Sequence, residues 1–181
     1  MGEAVVGLAL SEAGLGNWKI FHSVPKGENG GDIDHVLVCK RGTFCLETKT
    51  LFDKPQNIKL KEDDVFLGKR PLPEQPISSA RKHAVWLKEK IEKEIRIGKF
   101  VIPIVVFPFG KIIESSNTGK NYSASEDNEK AFAICTLEGL NELFTDFHKE
   151  KNTNFSLDEE QIEKIGKMLG ELTQTTSPIP H

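Results

Sequence analysis

The stretch that most constrains the fold is Gly31-Asp32-Ile33-Asp34-His35-Val36-Leu37-Val38-Cys39-Lys40-Arg41-Gly42-Thr43-Phe44-Cys45-Leu46-Glu47-Thr48-Lys49-Thr50. Two apolar runs, His35 to Cys39 and Thr43 to Lys49, flank a turn in which Gly42 can take the positive φ of a tight hairpin. A strand with so few polar positions is expected to be central and covered on both faces, where charge is costly. Asp34, Glu47 and Lys49 therefore call for an explanation other than solubility. If Arg41-Gly42 forms a two-residue loop, or Lys40 to Thr43 a four-residue one, Asp34 faces Lys49 and Val36 faces Glu47. All three charged groups then project from one side of the ribbon. A loop one residue longer or shorter sends Asp34 to the opposite face.

Two carboxylates and an ammonium on one spot allow two readings. One is a hard-cation site with a neighbouring positive charge: Mg²⁺ or Mn²⁺ held by carboxylate oxygens, with Lys49 orienting a water or stabilising developing charge. The other is an internal Asp34-Lys49 ion pair with Glu47 at the sheet end.

Asp34 followed by Glu47-Thr48-Lys49 has the D…(D/E)-x-K form of the PD-(D/E)XK nuclease superfamily. The longer string, Gly-Asp-Ile-Asp-His-Val, an apolar hairpin and Glu-Thr-Lys, resembles the nuclease-related domain, or NERD, family. The resemblance implies a restriction-endonuclease-like fold and Mg²⁺- or Mn²⁺-dependent cleavage of nucleic acid, DNA in preference to RNA. It also implies metal ligation by Asp34 and Glu47 and a catalytic role for Lys49. Gly2-Glu3 before an apolar helix matches the opening of that domain, which adds Glu3 as a further acid; otherwise Glu3 is a first-turn glutamate complementing the helix dipole. The family's Pro-x-x-Gln-Ala appears here as Pro76-Ile77-Ser78-Ser79-Ala80, with Ser79 in the glutamine's place and Gln75 one residue before the proline. Either Gln75 reaches in from the loop or Ser79 substitutes weakly. The second function class is thus a nucleic-acid-binding or adaptor domain of the same fold with weak or no catalysis. A third is a structural module in which the ion pair only specifies the sheet.

Along the chain, Val5, Leu8 and Ala9 give a first helix one apolar stripe, and Gly14 to Asn17 stop it. Trp18 to Val24 is a strand ended by Pro25, and Lys26 to Gly31 a loop. That loop lacks the Gly-Lys-Ser/Thr ending of a P-loop, which excludes a nucleoside triphosphatase. Asp32 shares the face of Asp34 if the strand starts early. Thr50 to Pro55 leaves the sheet, and Asn57 to Leu67 is a strand or hairpin arm with Lys59 and Lys61 on one face for a phosphate backbone. A helix follows from Ile77 to Ile97, with Ala80, Ala84, Leu87, Ile91 and Ile95 inward and Gly98 closing it. Arg81, Lys82 and His83 lie near its start, where His83 reads as a surface residue. Val101 to Phe107 is a buried strand that Pro103 starts or confines to an edge. Lys111 to Lys130 is an irregular excursion, and Ala131 to Cys135 a last strand. Thr136 caps a helix to Phe147, and Ser156 to Glu159 have capping-box form before a helix to about Leu172.

These elements make an α/β chain, a central mixed sheet flanked by helices. The expected division is a nuclease-like domain over 1–150, an appended C-terminal helix over 151–173 and a disordered tail over 174–181. The 181 residues are enough for one core. The formal charge of −3 is unevenly spread: residues 54–110 carry 12 basic and 7 acidic side chains, whereas 111–181 carry 7 and 13. A basic middle is compatible with a nucleic-acid groove or with a solvated helix face. Cys39, Cys45 and Cys135, odd in number and without C-x-x-C spacing, read as buried apolar groups. No apolar run reaches the roughly 18 residues of a membrane span, and Glu3 and Glu12 argue against a signal peptide. A cytoplasmic protein with no membrane partner is expected.

Overall fold

A computed structural model describes residues 2–12, 18–27, 30–50, 56–61, 64–114, 122–124, 131–149 and 154–174. The expected stop at 14–17, the exit at 51–55 and the tail beyond 174 lie outside the described residues, as does the side chain of Phe147. The elements run α1 (Gly2–Glu12), β1 (Lys19–Pro25), β2 (Asp32–Cys39), β3 (Gly42–Thr48), β4 (Gln56–Lys61), β5 (Asp64–Leu67) and β6 (Arg70–Pro71). They continue with α2 (Pro76–Ile95), β7 (Val101–Phe107), β8 (Gly110–Glu114), β9 (Tyr122–Ala124), β10 (Ala133–Thr136), α3 (Leu137–Lys149) and α4 (Glu159–Gln174).

The main sheet has the order β1-β2-β3-β7-β10-β9, and a second sheet the order β6-β5-β4-β8. β1, β2 and β3 pair antiparallel, whereas β7 runs parallel to both β3 and β10. The main sheet is mixed, as the apolar hairpin and the later strands imply. Alternation along its strands divides the core. Leu37, Phe44, Leu46, Ile102, Ile104 and Val106 pack with Val6 and Leu10 of α1 and Leu140, Leu143 and Phe144 of α3. Val36, Val38 and Cys45 pack on the other face with Ala84, Leu87 and Ile91 of α2 and Ile162, Ile165 and Leu169 of α4.

Several elements differ from expectation. The face of α1 that is buried is Val6 and Leu10, while Leu8 is 60% exposed. The helix is apolar almost all round, so periodicity alone could not choose a stripe. Pro103 stands inside a central strand rather than at its start or edge. It is tolerated because the ladder with β10 begins only at Ile104, one residue past the missing N–H. β8 and β9 occupy parts of the excursion expected to be irregular. α2 ends at Ile95, before Gly98, because Arg96 itself takes the left-handed conformation (φ 58°) and its N–H bonds Glu92 O. The last helix is capped two residues later than its sequence form implied: Asp158 N–H bonds Gln161 Oε1, and Gln161 N–H bonds Asp158 Oδ1. Thr136 does cap α3, its Oγ1 accepting from Gly139 N–H. All three cysteines are buried, unpaired thiols.

Candidate functional site

The hairpin register is His35↔Leu46, Val36↔Cys45 and Cys39↔Gly42, so the loop is Lys40-Arg41 and Gly42 opens β3 with φ 140°. This pairing is two residues away from the expected one. Continued by one step, it sets Asp34 across from Glu47 rather than Lys49. A slip of two preserves facing, so Asp34 stays with Val36 and Val38, and Glu47 with Cys45, on the side covered by α2. The pair lies where β2 begins and the parallel strands β3 and β7 end, the end at which α/β sheets bind ligands.

Around these acids the main chain is tightly organised. Thr48 N–H donates to Asp34 Oδ2 at 2.6 Å, and Lys49 N–H donates to Val106 O at 2.9 Å, extending β3 along β7. Lys49 Nζ lies 2.9 Å from Glu47 Oε1, so the ion pair is Lys49-Glu47 instead of the expected Asp34-Lys49. On the other side of Glu47, His83 Nδ1 stands 3.0 Å from Oε2. Both atoms are buried, and the contact is an ion pair when the ring is protonated. Across β1, Ser23 sits opposite Asp34 at a break in an otherwise continuous ladder, with φ 49°. A non-glycine residue held there is locally strained.

Burial raises the Asp34 carboxyl from its usual 3.8 to about 6; the Thr48 amide opposes this, and the charges of Glu47 and Glu3 add to it. Burial would also raise Glu47, but His83 and Lys49 outweigh it and hold the carboxyl below the ordinary glutamate value. Lys49 loses some charge preference to burial and regains more from Glu47, so its ammonium sits above the usual lysine value. Glu3 comes close because α1 meets the sheet end: a Cβ on Gly2 would lie 1.8 Å from Thr50 Oγ1 and 3.3 Å from Pro108 Cγ. The Glu3 side chain itself is exposed.

Asp34, Glu47 and Lys49 are thus together, Glu3 is within electrostatic reach, and Asp32 opens β2 exposed to solvent. Gln75 is elsewhere: Oε1 accepts from Val65 N–H and Nε2 donates to Leu72 O, fastening the β5–β6 arm to the start of α2. It does not substitute for the family glutamine. Arg81 stacks its guanidinium 4.9 Å over the Phe132 ring. The expectation that His83 is a surface residue is corrected, since its side chain is only 15% exposed. The available signal was Ser79-x-x-x-His83, four residues apart and so on one helical face. Nothing in the sequence fixes how deeply that face packs.

Among the described residues no group of three or more His, Cys, Asp or Glu side chains is placed to hold a metal ion. The donor set nevertheless fits a divalent cation in one respect: Asp34 and Glu47 offer carboxylate oxygens, and Glu47 Oε2 is buried, where a positive charge, the His83 ring or a cation, is needed to meet it. Asp34 also keeps its second oxygen uncommitted to the Thr48 amide.

A mixed sheet flanked by helices, with acids and a lysine gathered at one end, is consistent with a nuclease-like α/β protein. The chain belongs to the nuclease-related domain family, whose model matches residues 1–108. No curated protein and no solved structure matches it.

Proposed function

We propose that this chain is a divalent-metal-dependent nuclease that hydrolyses phosphodiester bonds in DNA. The observation that carries the reading is the convergence of Asp34, Glu47 and Lys49 at one sheet end, with Glu47 buried. Asp34 and Glu47 hold Mg²⁺ or Mn²⁺, and Glu3 adds negative charge from α1. A bound cation screens the phosphate and acidifies a water. Lys49, fixed on Glu47 Oε1 and 25% exposed, presents its remaining N–H donors to the attacking water or to the charge growing on the phosphate. The basic segment 54–110 favours a polyanion, and among the described residues no helix is long and apolar enough to cross a membrane. A cytoplasmic location belongs to the same proposal.

The test is cleavage of single- and double-stranded DNA with and without Mg²⁺. Wild type should cut and Glu47→Gln, which keeps the shape and removes the charge, should not. Absence of cleavage by both removes the enzymatic reading. A second reading, a DNA-binding domain with little turnover, is favoured by Gln75 being engaged elsewhere and Ser79 standing in the family's glutamine position. It requires salt-sensitive binding without cleavage.

A further inference from the structure

We propose that the outer face of α2 beside the acids holds a single strand of DNA, with a base stacked on Trp86 and phosphates met by Lys82 and Arg81. This face carries a groove of about 400 Å³ lined by Ser78, Arg81, Lys82, Val85, Trp86 and Glu89. Its place is fixed by His83, which touches Glu47 Oε2 from the same helix. Trp86 follows His83 by three residues and is therefore its neighbour on the helix surface. It is only partly buried, packed against the core cluster under β2 and α2, and Val85 beside it is 54% exposed.

The chemistry of the lining selects the occupant. An aromatic ring beside cations is the platform on which unpaired bases stack while their phosphates are neutralised. Lys82 is exposed, level with His83, and Arg81, its guanidinium 4.9 Å over the Phe132 ring, adds charge at the same end. The acid in the lining, Glu89, stands seven residues beyond Lys82, about 10 Å along the helix, and leaves that end cationic. Inside a duplex both faces of a base are covered by its neighbours, so a stacking tryptophan favours single strands. The placement rests on the nuclease reading above: a strand whose phosphodiester lies at Asp34 and Glu47 continues past the helix that carries His83. The make-up of the groove does not depend on it.

The chain has two tryptophans, and the other, Trp18, stacks on Phe44 in the core on the far side of the sheet. Fluorescence titration therefore reads the groove directly. A single-stranded oligothymidylate of roughly twelve nucleotides, added to the full chain in chelator so that nothing is cut, should quench the emission and bind more tightly than a duplex of the same length. The quench should persist in Trp18→Phe and vanish in Trp86→Leu, with binding of a labelled strand about 5- to 150-fold weaker. Lys82→Gln, at an exposed position, guards against a Trp86→Leu variant that fails to fold; it should weaken binding and lower the salt slope by about 0.7. Unchanged affinity in both variants, a quench that survives in Trp86→Leu, duplex bound as tightly as single strand, or a dimer in sedimentation that shields Trp86 without DNA overturns the proposal. Mg²⁺-dependent cleavage alongside any of these leaves the nuclease reading standing. The expected binding without cleavage keeps the groove and removes that reading.

Discussion

In Asp34 the proposed metal-binding role and the stability of the fold oppose each other. Its folded carboxyl titrates at about 6 against an ordinary 3.8, so the folded state holds the proton more tightly than the unfolded one. The stability this gives is fully present below the ordinary value and is lost as pH rises through the folded value. In chelator, wild type should become less stable between about pH 4 and pH 6, and Asp34→Asn should flatten that fall and melt higher than wild type at pH 7. The same variant should lose metal-dependent cleavage. Thermal melts across pH, with a cleavage assay at pH 7, check both halves; a wild-type profile no steeper than that of the variant contradicts the account. At this scale, alternation along the chain made the common face of Asp34, Glu47 and Lys49 legible. Their partners were not. Lys49 chose Glu47 because the register moved by two, and His83 reached Glu47 from a distant helix whose packing no local pattern encodes.

Among the elements, strands and helices with strong apolar patterns, β2, β3, α2, β7 and α4, were readable, and so was α1 as a helix, whereas the buried face of α1 and the β8–β9 region were not. An all-apolar helix carries no directional signal, and short strands such as β9, three residues long, depend on neighbours in space. Element ends depend on single conformers. Arg96 closes α2 at φ 58°, where a side chain costs about 1–2 kcal/mol. Glycine avoids that cost and loses somewhat less in unfolded-state entropy, so Arg96→Gly should stabilise the protein by about 0.5 kcal/mol in urea denaturation. Gly42→Ala should go the other way. Its φ of 140° is a glycine conformation, and a Cβ would stand 3.0 Å from Phe155 O. A loss of about 1–3 kcal/mol is expected, read as a lower denaturation midpoint.

For the molecule as a whole, the family match ends at residue 108 but the core does not. β10 pairs with β7 beyond that point, and α4 places Ile162, Ile165, Met168 and Leu169 in the cluster under β2 and α2. A fragment of residues 1–108 should therefore lack a cooperative thermal transition. In the full chain Leu169→Ala should cost about 2–5 kcal/mol, since Leu169 is fully buried. A 1–108 fragment that melts cooperatively would show that the later elements are dispensable. Mixed α/β architecture was legible because apolar runs alternated with helical patterns. The split into two sheets was not, since it follows from β4 finding β8 rather than the hairpin ribbon.

The loop at Lys40-Arg41 closes the ribbon at the end away from the acids, and Lys40 is exposed. By burial alone an in-frame insertion of one codon there looks harmless. Unless a bulge absorbs it, the added residue inverts the parity of β2 against β3 and swings Asp34 to the α1 side. Genetic variants of this domain that lengthen or shorten that surface turn by an odd number belong with those that delete the aspartate outright.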